Sequence, residues 1–376
     1  MGGGEFSTKQ MADGLVKKGH EVMVYCLGEE NSKEDINGVR VNRRYMKGTS
    51  EHFLSLCKNR NVPDPFTRLS KAVRKRGDLY PCRKWYEEYR NIILSEAPDV
   101  VHTASPMSYQ GRFNLWKAAY DLKIQVSHVC RGPALLELDF LNGRLDGFNR
   151  RRNAKASSYL TALAAPSRFL LDAHERAGIK GQKYNEVIYN AAGLPPVSVT
   201  EESVRSKESM ILYAGELSEK KGILTLICAM DGIDSARLLL IGKGDMEDVI
   251  KSDGRAELID WMDREKLCGY MQKAKAVVLP SKWNEPFGRI LIEAICNGTI
   301  AIGSDRGGIP EVLDHNEDHI FRSGDTEGMQ SRIQRVLDLS PLEYLDEIQR
   351  QQRILSRFSD DKFTDNWEGF FLRQLS

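Results

Sequence analysis

The sequence of 376 residues lacks features that mark several large classes of protein. It has no run of about 18 apolar residues, so no transmembrane helix is expected. Its first residues lack the apolar core of a secretory signal peptide. The seven cysteines are scattered without a Cys-x-x-Cys pair, which argues against a zinc knuckle and for reduced thiols. These absences predict a soluble cytoplasmic protein.

The residues that are present describe a globular chain of two domains. Hydrophobic residues make up 41% of the sequence and charged residues 28%, at a length that suits two domains. Residues 1–195 carry 31 Lys and Arg against 21 Asp and Glu, which leaves 23 and 32 of the totals of 54 and 53 for the rest. A basic first half and an acidic second half predict domains with different partners.

Residues 276–298 predict a buried strand, a loop and a helix. Ala276 to Leu279 is a short apolar run, as in a buried parallel strand. Pro286 stands near the first turn of the helical pattern that follows, and Gly298 lies just past its end. In such units the free N–H groups at the helix start face the cleft at the carboxyl end of the sheet, where anions bind.

Two carboxylates lie on this unit, at Glu285 and Glu293. Both face one side if the helix begins at Glu285. If it begins at Phe287, Glu285 lies in the loop above the helix and converges with the amides of Phe287, Gly288 and Arg289. That arrangement would suit a sugar with a phosphate leaving group. The alternative is a surface helix with two solvated glutamates.

The surrounding residues resemble a known family. EPFGRILIEAICNG, followed by IAIGSDRGGIPEVL, is similar to the donor-site signature of retaining GT-B glycosyltransferases of family 4. The resemblance spans nearly the whole chain and is strongest over 209–313. It implies an α/β fold of GT-B architecture, with two doubly wound Rossmann-like domains facing across a cleft. It also implies that Glu285 contacts the donor sugar, Glu293 binds the ribose, and Lys221 holds the diphosphate.

The resemblance and the alternation of strands and helices predict the domain plan. It consists of an acceptor-side front domain (1–195), a linker (196–208), a nucleotide-sugar-binding back domain (209–355) and a C-terminal helix that crosses back to the front domain (356–376).

The glycine loop that contains Gly3 and Gly4 resembles the family loop where donor phosphate and acceptor approach the backbone. In the family an apolar strand precedes this loop, and here the sequence starts at the loop. We therefore expect a front domain in which the first strand is missing or another segment takes its place.

The sequence departs from the family pattern at Glu216, which stands where the family has an Arg that binds the diphosphate. A carboxylate there would repel a diphosphate unless it pairs with Lys220 or Lys221. Arg289, close to the Glu285 loop, is expected to replace the missing charge. Trp261 lies where the family holds the nucleotide base, and is either a lid on the base or a core residue.

The acceptor side is less well defined. In the family a histidine at a strand end touches the transferred sugar. His128 is the nearest histidine, but an alignment without gaps places Arg131 at that position, and His102 ends the preceding strand. A structural role is the alternative for each of these histidines.

The stretch from Lys58 to Arg90 is basic and contains interleaved aromatic residues. This composition suits peripheral contact with an anionic membrane or a phosphorylated acceptor. A solvated helical face is the alternative, and no nucleic acid partner is expected.

The combined prediction is a retaining glycosyltransferase. It would move a sugar from a nucleotide-sugar to a glycan, lipid-linked or other acceptor by front-face substitution, with protein groups stabilising leaving-group charge. No Asp-x-Asp motif lies where this chemistry would need it, so no metal is expected, and no cofactor beyond the nucleotide-sugar substrate. The alternatives are a sugar-nucleotide epimerase of the same architecture and a degenerate GT-B protein that binds a glycan or partner without catalysis.

Overall fold

The fold is described from a computed structural model, which covers residues 3–27, 30–44, 83–104, 109–132 and 147–376. These residues form two α/β domains. Much of the basic stretch from Lys58 to Arg90, and with it the prediction of membrane contact, lies outside the described residues.

The described strands of the front domain form two sheets. The first has the order β1-β3-β2, with β1 parallel and β2 antiparallel to β3. The second has the order β4-β5-β6-β7 and is parallel throughout. Their bounds are β1 Val22–Leu27, β2 Ser32–Ile36, β3 Val39–Arg44, β4 Val100–Ala104, β5 Gln125–Val129, β6 Ala162–Ala165 and β7 Tyr184–Val187.

Five helices of the front domain lie within the described ranges. Their bounds are α1 Gly3–Lys17, α2 Arg83–Glu96, α3 Tyr109–Asp121, α4 Gly147–Ser157 and α5 Arg168–Arg176. Helix α1 begins at Gly3, so Gly3 and Gly4 lie in its first turn and not in a separate loop as predicted. Within the described ranges no strand joins β1 to β4, and the two front sheets are separate.

The back domain is built on one parallel sheet of six strands, in the order β10-β9-β8-β11-β12-β13. The strands are short apolar runs buried on both faces, which is the pattern of a parallel sheet covered by helices. Their bounds are β8 Met210–Ala214, β9 Arg237–Ile241, β10 Ala256–Ile259, β11 Ala276–Leu279, β12 Ile300–Ser304 and β13 Ile320–Phe321.

The remaining helices follow in chain order. They are α6 Glu201–Arg205, α7 Ile223–Ala229, α8 Glu247–Asp253, α9 Arg264–Lys273, α10 Arg289–Cys296, α11 Ile309–Val312, α12 Thr326–Asp338, α13 Pro341–Gln352 and α14 Asp360–Leu375, with 3₁₀ turns at Glu219–Lys221 and Arg353–Phe358. The predicted linker contains α6, whose start is capped by the side chain of Thr200. Across the described ranges, none of the helices combines the length and apolarity that crossing a bilayer requires.

The two domains are joined at their crossing points by backbone and side-chain contacts. The amide of Ala192 donates to the carbonyl of Phe358 at 2.9 Å. The amide of Val197 donates to the carbonyl of Cys296 at 2.8 Å. Helix α14 returns to the front domain, where it packs against α1 and β4. Its Trp367 is buried against His102 of β4, with ring centroids 5.1 Å apart.

Candidate active site at the start of helix α10

The loop between β11 and α10 carries Glu285 at the carboxyl edge of the back sheet. Helix α10 begins at Arg289, later than either predicted start, because Gly288 precedes it in the left-handed region with φ 94°. Glu285 therefore lies in the loop ahead of the helix, as the second predicted arrangement required. The first amides of the helix have no intrahelical acceptors, and their positive end faces the same edge.

Glu285 is held by an ion pair and a hydrogen bond. Its side chain is nearly buried, and its Oε1 lies 2.6 Å from Nζ of Lys221 and accepts a hydrogen bond from Oγ of Ser281 at 2.7 Å. The amide of Gly308 donates to its carbonyl at 2.8 Å. At Gly307, with φ 64°, an added Cβ would lie 2.1 Å from the same carbonyl, so a glycine is required there. The carboxylate is fixed before any ligand binds.

Lys221 reaches Glu285 because two loops are tied together. The loop after β8 forms the 3₁₀ turn at Glu219–Lys221, and the amides of Lys282 and Trp283 donate to the carbonyl of Lys220 at 2.9 and 3.0 Å. Strands β8 and β11 are neighbours, so their carboxyl ends bring the two loops to one point. This places an ammonium group and a carboxylate beside the start of α10.

Glu216 pairs with Lys220 at 2.9 Å, with both side chains about half exposed. This is one of the two ion pairs that would reduce the repulsion between the Glu216 carboxylate and a diphosphate. Because Glu216 pairs with Lys220, Lys221 is available to pair with Glu285. Lys220 therefore offsets the negative charge that Glu216 places where the family has an Arg.

Arg289 extends from α10 to the front domain. Its guanidinium donates to Oε1 of Gln10 at 2.9 Å and to Oγ of Ser7 at 3.2 Å, and it lies 4.2 Å from the ring centroid of Phe6. Its Nε also donates to Glu293 at 3.2 Å. Burial lowers the pKa of Arg289. Arg289 therefore joins the two domains, and its role as a replacement charge for a diphosphate stays a prediction.

Glu293 accepts a second charged hydrogen bond, from Arg264, at 2.9 Å. Arg264 also donates to the carbonyl of Gly193 at 3.0 Å and lies over Phe6, with 4.7 Å between its Cζ and the ring centroid. Sequence reasoning missed Arg264. Its position in the sequence could have indicated it, because Arg264 follows β10 and the helix-capping residue Asp263 and so begins a helix at the carboxyl edge of the sheet.

Trp261 is 64% exposed, so the core-packing alternative is wrong for this residue. Its side chain borders an apolar pocket of 190 Å³ at the carboxyl edge of the sheet, lined by Ala214, Gly215, Ile241, Trp261, Met262, Leu267 and Ile290. Since Ile290 belongs to the first turn of α10, the pocket adjoins the Glu285 loop.

The side chain of Phe287 faces away from the cleft. It is 3% exposed and packs between the rings of Tyr189 and Phe358, with centroid distances of 6.1 and 5.8 Å. Only its backbone is placed to contribute to the start of α10.

The histidine nearest the family position, His128, lies in the core of the front domain. His128 is fully buried, with Nδ1 2.8 Å from Oγ1 of Thr103 and its ring 5.2 Å from that of Trp116. Burial lowers the pKa of His128 well below its ordinary value. This placement favours the structural alternative. Arg131 lies two residues beyond the end of β5 and packs against Gly4 of α1.

The two domains also meet on the other side of the loop, through residues that sequence reasoning missed. Glu311 of α11 accepts hydrogen bonds from the first amides of α5, Arg168 at 2.7 Å and Phe169 at 2.8 Å. Ser167 donates to the carbonyl of Pro286 at 2.6 Å.

Within the described residues, no group of three or more His, Cys, Asp or Glu side chains is arranged to hold a metal ion.

Both halves of the chain match known families. Residues 1–192 match the family described as Glycosyltransferase Family 4, and residues 198–353 match the family described as Glycosyl transferases group 1. Two α/β domains built on parallel sheets are the architecture of the GT-B class of glycosyltransferases. The chain belongs to glycosyltransferase family 4, and it is a transferase enzyme.

Individual relatives are distant. The chain is 27% identical over 333 residues to an uncharacterized protein of the cps region of Klebsiella pneumoniae, covering 83% of each. It is 26% identical to an uncharacterized glycosyltransferase of Methanocaldococcus jannaschii, covering 85% of this chain and 81% of that one. Among solved structures, sucrose-phosphate synthase from Thermosynechococcus elongatus superposes with a TM-score of 0.71 at 19% identity, covering 100% of this chain and 94% of that one.

Anabaena HepE, solved in complex with UDP and glucose, superposes with a TM-score of 0.65 at 16% identity, covering 99% of this chain and 96% of that one. At these identities the two structures show a shared fold.

Proposed function

We propose that this chain is a retaining glycosyltransferase that takes its sugar from a nucleotide-diphosphate donor and transfers it to a glycan or lipid-linked acceptor, without a bound metal. The observation that carries the proposal is the Lys221–Glu285 pair at the start of α10. It supplies one cation, one carboxylate and a helix N-terminus at the carboxyl edge of a parallel sheet, where anionic ligands bind in such folds.

The pair suits the two parts of a sugar-diphosphate. The ammonium of Lys221 and the first amides of α10 would stabilise the negative charge that develops on the leaving phosphate. The carboxylate of Glu285 would accept hydrogen bonds from sugar hydroxyls. Because Glu285 is fixed by Ser281 and Gly308 before binding, little of the binding free energy is lost in ordering it.

The proposed step is a substitution on one face of the sugar. The bond between the anomeric carbon and the leaving phosphate oxygen breaks, and a bond to the acceptor hydroxyl oxygen forms on the same face. The hydroxyl proton passes to the departing phosphate oxygen, so the products are the glycosylated acceptor and a nucleoside diphosphate. No protein base is needed for this proton, and the positive groups around the phosphate supply the catalysis.

The pocket beside Trp261 would hold the nucleotide base. It is apolar, it is bordered by an exposed aromatic ring, and it adjoins α10. Glu293, one turn further along α10, would receive the ribose hydroxyls, as the family pattern implies. UDP is the first nucleotide to test, because the structurally similar HepE was solved with UDP.

The proposal includes a cytoplasmic location and peripheral contact with an anionic membrane through the basic front domain. The support is the charge of residues 1–195, with 31 basic against 21 acidic side chains. Flotation with vesicles that contain anionic lipid would test this contact.

The test combines binding with turnover. A thermal-shift screen of UDP, GDP and ADP should raise the melting temperature for one of them, by mass action. With the matching nucleotide-sugar, Glu285→Gln should reduce transfer or donor hydrolysis by about 10²–10³-fold, as loss of a group at the reacting centre does. The exposed Glu265→Gln is the control and should leave the rate unchanged.

Wild-type turnover in Glu285→Gln would contradict the proposal. Net conversion of the donor to its epimer without an acceptor would favour the epimerase instead. Strong inhibition by a chelator would overturn the metal-independent mechanism.

A further inference from the structure

Arg264 and Glu293 form an ion pair between two neighbouring helices of the back domain. Arg264 is the first residue of α9, and its Nη2 donates to Oε1 of Glu293 on α10 at 2.9 Å. The exposed fractions of the two side chains are 28% and 13%, so the pair is largely shielded from solvent. Ion pairs that are shielded in this way are screened less by salt than pairs on an open surface. Arg264 can therefore fix the orientation of the Glu293 carboxylate.

The ion pair lies next to the apolar pocket that Trp261 borders. Ile290 and Glu293 are three residues apart on α10, so their side chains lie on one face of that helix. Arg264 and Leu267 have the same spacing on α9. Leu267 and Ile290 both line the pocket. A ribose attached to a base in this pocket would therefore come close to Glu293.

Both arginines that contact Glu293 bind the same carboxylate oxygen. Nη2 of Arg264 at 2.9 Å and Nε of Arg289 at 3.2 Å donate to Oε1. The other oxygen, Oε2, accepts neither of these bonds, and a carboxylate oxygen can accept hydrogen bonds from the hydroxyls of a ribose. Because Oε1 is held from two helices, Oε2 keeps one direction before any ligand binds.

Arg264 is itself held by residues of the front domain. Its Nη1 donates to the carbonyl of Gly193 at 3.0 Å, and its Nη2 also donates to the carbonyl of Ala192. Its Cζ lies 4.7 Å from the ring centroid of Phe6. Gly193 has φ 68°, and a Cβ added there would lie 3.0 Å from Cε1 of Phe6 and 3.1 Å from Nη1 of Arg264. The guanidinium is thus fixed by the front domain while it holds Glu293 of the back domain.

We propose that Arg264 is a positioning residue, which acts through Glu293 to set the affinity for the ribose of the donor. This inference rests on the proposed function, which assigns the ribose hydroxyls to Glu293. Arg264 needs no contact with the donor for this role. Without Arg264, the carboxylate of Glu293 is held only by Arg289 and can turn away from the pocket. Nucleotides that have ribose hydroxyls should then lose affinity, and nucleotides that lack them should not.

The experiment compares two probes that differ only in the ribose hydroxyls. They are the nucleoside diphosphate that gives the largest shift in the thermal screen and its 2′,3′-dideoxy form. Calorimetry gives the dissociation constant of each probe for the full chain as wild type, Arg264→Gln, Arg264→Lys and Lys266→Gln. The last variant removes an exposed cation of the same helix. Wild type should bind the ribonucleotide about tenfold or more tightly than the dideoxynucleotide, because the latter cannot donate to the carboxylate.

The preference for the ribonucleotide is the quantity that Arg264 should control. We expect Arg264→Gln to reduce it to about twofold, by weakening the ribonucleotide and leaving the dideoxynucleotide unchanged. Arg264→Lys keeps a cation but loses the planar fork, so its preference should be intermediate. Lys266→Gln should keep the wild-type preference. Because the preference is a ratio of two dissociation constants for the same folded protein, a smaller folded fraction does not change it.

Steady-state kinetics give a second readout of the positioning role. The ribose takes no part in the bond changes, so it is bound equally well in the ground state and in the transition state. Arg264→Gln should therefore raise the KM for the nucleotide-sugar and leave kcat within about twofold of wild type. A fall in kcat at unchanged KM would assign Arg264 to the chemical step and contradict the inference.

Three binding results would overturn the inference. A preference that Arg264→Gln retains would show that Arg264 does not position Glu293. Equal weakening of both probes in Arg264→Gln would leave Arg264 with a structural role alone. Equal affinity of wild type for the two probes would show that Glu293 does not bind the ribose, while the donor class of the proposed function stands. If no nucleoside diphosphate binds to wild type, the proposed function fails and the inference fails with it.

Discussion

The two domains differ in how their sheets and hydrophobic cores are built. The back domain has a single six-stranded parallel sheet and one continuous hydrophobic core that extends from Ala192 to Phe358. The described front domain has two separate sheets and two smaller cores. One of these cores depends on Phe363, Trp367 and Phe370 from the C-terminal helix α14. The groups proposed to hold the donor lie on the continuous sheet.

This difference suggests a division of tasks. Pre-organised charge stabilisation requires a scaffold that does not reorganise during the reaction, and the back domain provides it. The front domain is completed by an element that comes last in the sequence and packs on the first helix. Changes in α14 should therefore loosen the front domain and leave the back domain intact.

The largest effect is expected at Trp367, which is 1% exposed and stacks on Phe371 with ring centroids 5.6 Å apart. Trp367→Ala should reduce the free energy of unfolding of the front domain by about 3–5 kcal/mol, because a large buried ring leaves a cavity. Hydrogen exchange should accelerate in α1 and β4 but not in β8 and β11. Leu372→Ala, at a half-exposed position of the same helix, is the control. Equal acceleration in both domains would remove the proposed division.

The next largest effect is a loss of back-domain stability at acidic pH. Glu347 of α13 is buried, and its carboxylate lies 3.0 Å from His319 and 3.2 Å from Arg335. These partners, of which His319 contributes most, lower the pKa of Glu347 to about 2 from an ordinary value of 4.5. The stabilisation is therefore present above pH 4.5 and is lost as the pH falls towards 2.

Urea unfolding at pH 6 and pH 3 would measure this contribution. Glu347→Gln should reduce the stability difference between the two pH values by about 2 kcal/mol, since its carboxylate can no longer be protonated. Asp346→Asn, an exposed neighbour on the same helix, should reproduce the wild-type difference. If both variants behave alike, the ion pairs of Glu347 do not stabilise the back domain.

The smallest effect is expected where the two domains meet. Glu311→Gln removes the charge that caps α5 from the other domain, and should destabilise this junction by about 1 kcal/mol. Hydrogen exchange at the first amides of α5 should then be faster. Glu317→Gln changes an exposed carboxylate six residues further along the chain and should have no effect on these amides. Unchanged exchange in Glu311→Gln would show that the cap does not hold the domains together.

The sequence predicted the parts of the fold that local patterns determine. The apolar run from Ala276 to Leu279 predicts a buried strand of the back domain, and the structure confirms it. Strand β2 was not predicted, because its residues, Ser32 to Ile36, are mostly polar and its existence depends on pairing with β3. The start of α10 was placed too early, because Pro286 suits a first helical turn but its carbonyl is held by Ser167 of the other domain.

The candidate site residues are predicted one by one from the sequence, but most of their contacts are not. Glu285 and Lys221 are 64 residues apart, and only the adjacency of β8 and β11 joins them. The direction of Arg289 towards α1 depends on how the domains pack, which no local pattern encodes. The burial of His128 depends on Trp116 of α3, so its position at a strand end gave no sign of it.

The central claim is that a sugar-diphosphate binds over the start of α10, between Lys221 and Glu285. The most direct measurement is a crystal structure with the nucleoside diphosphate that the thermal screen identifies. We predict a phosphate oxygen within hydrogen-bond distance of Nζ of Lys221 and the base in the pocket beside Trp261. A diphosphate bound elsewhere, with the Lys221–Glu285 pair closed over an empty site, would contradict the claim.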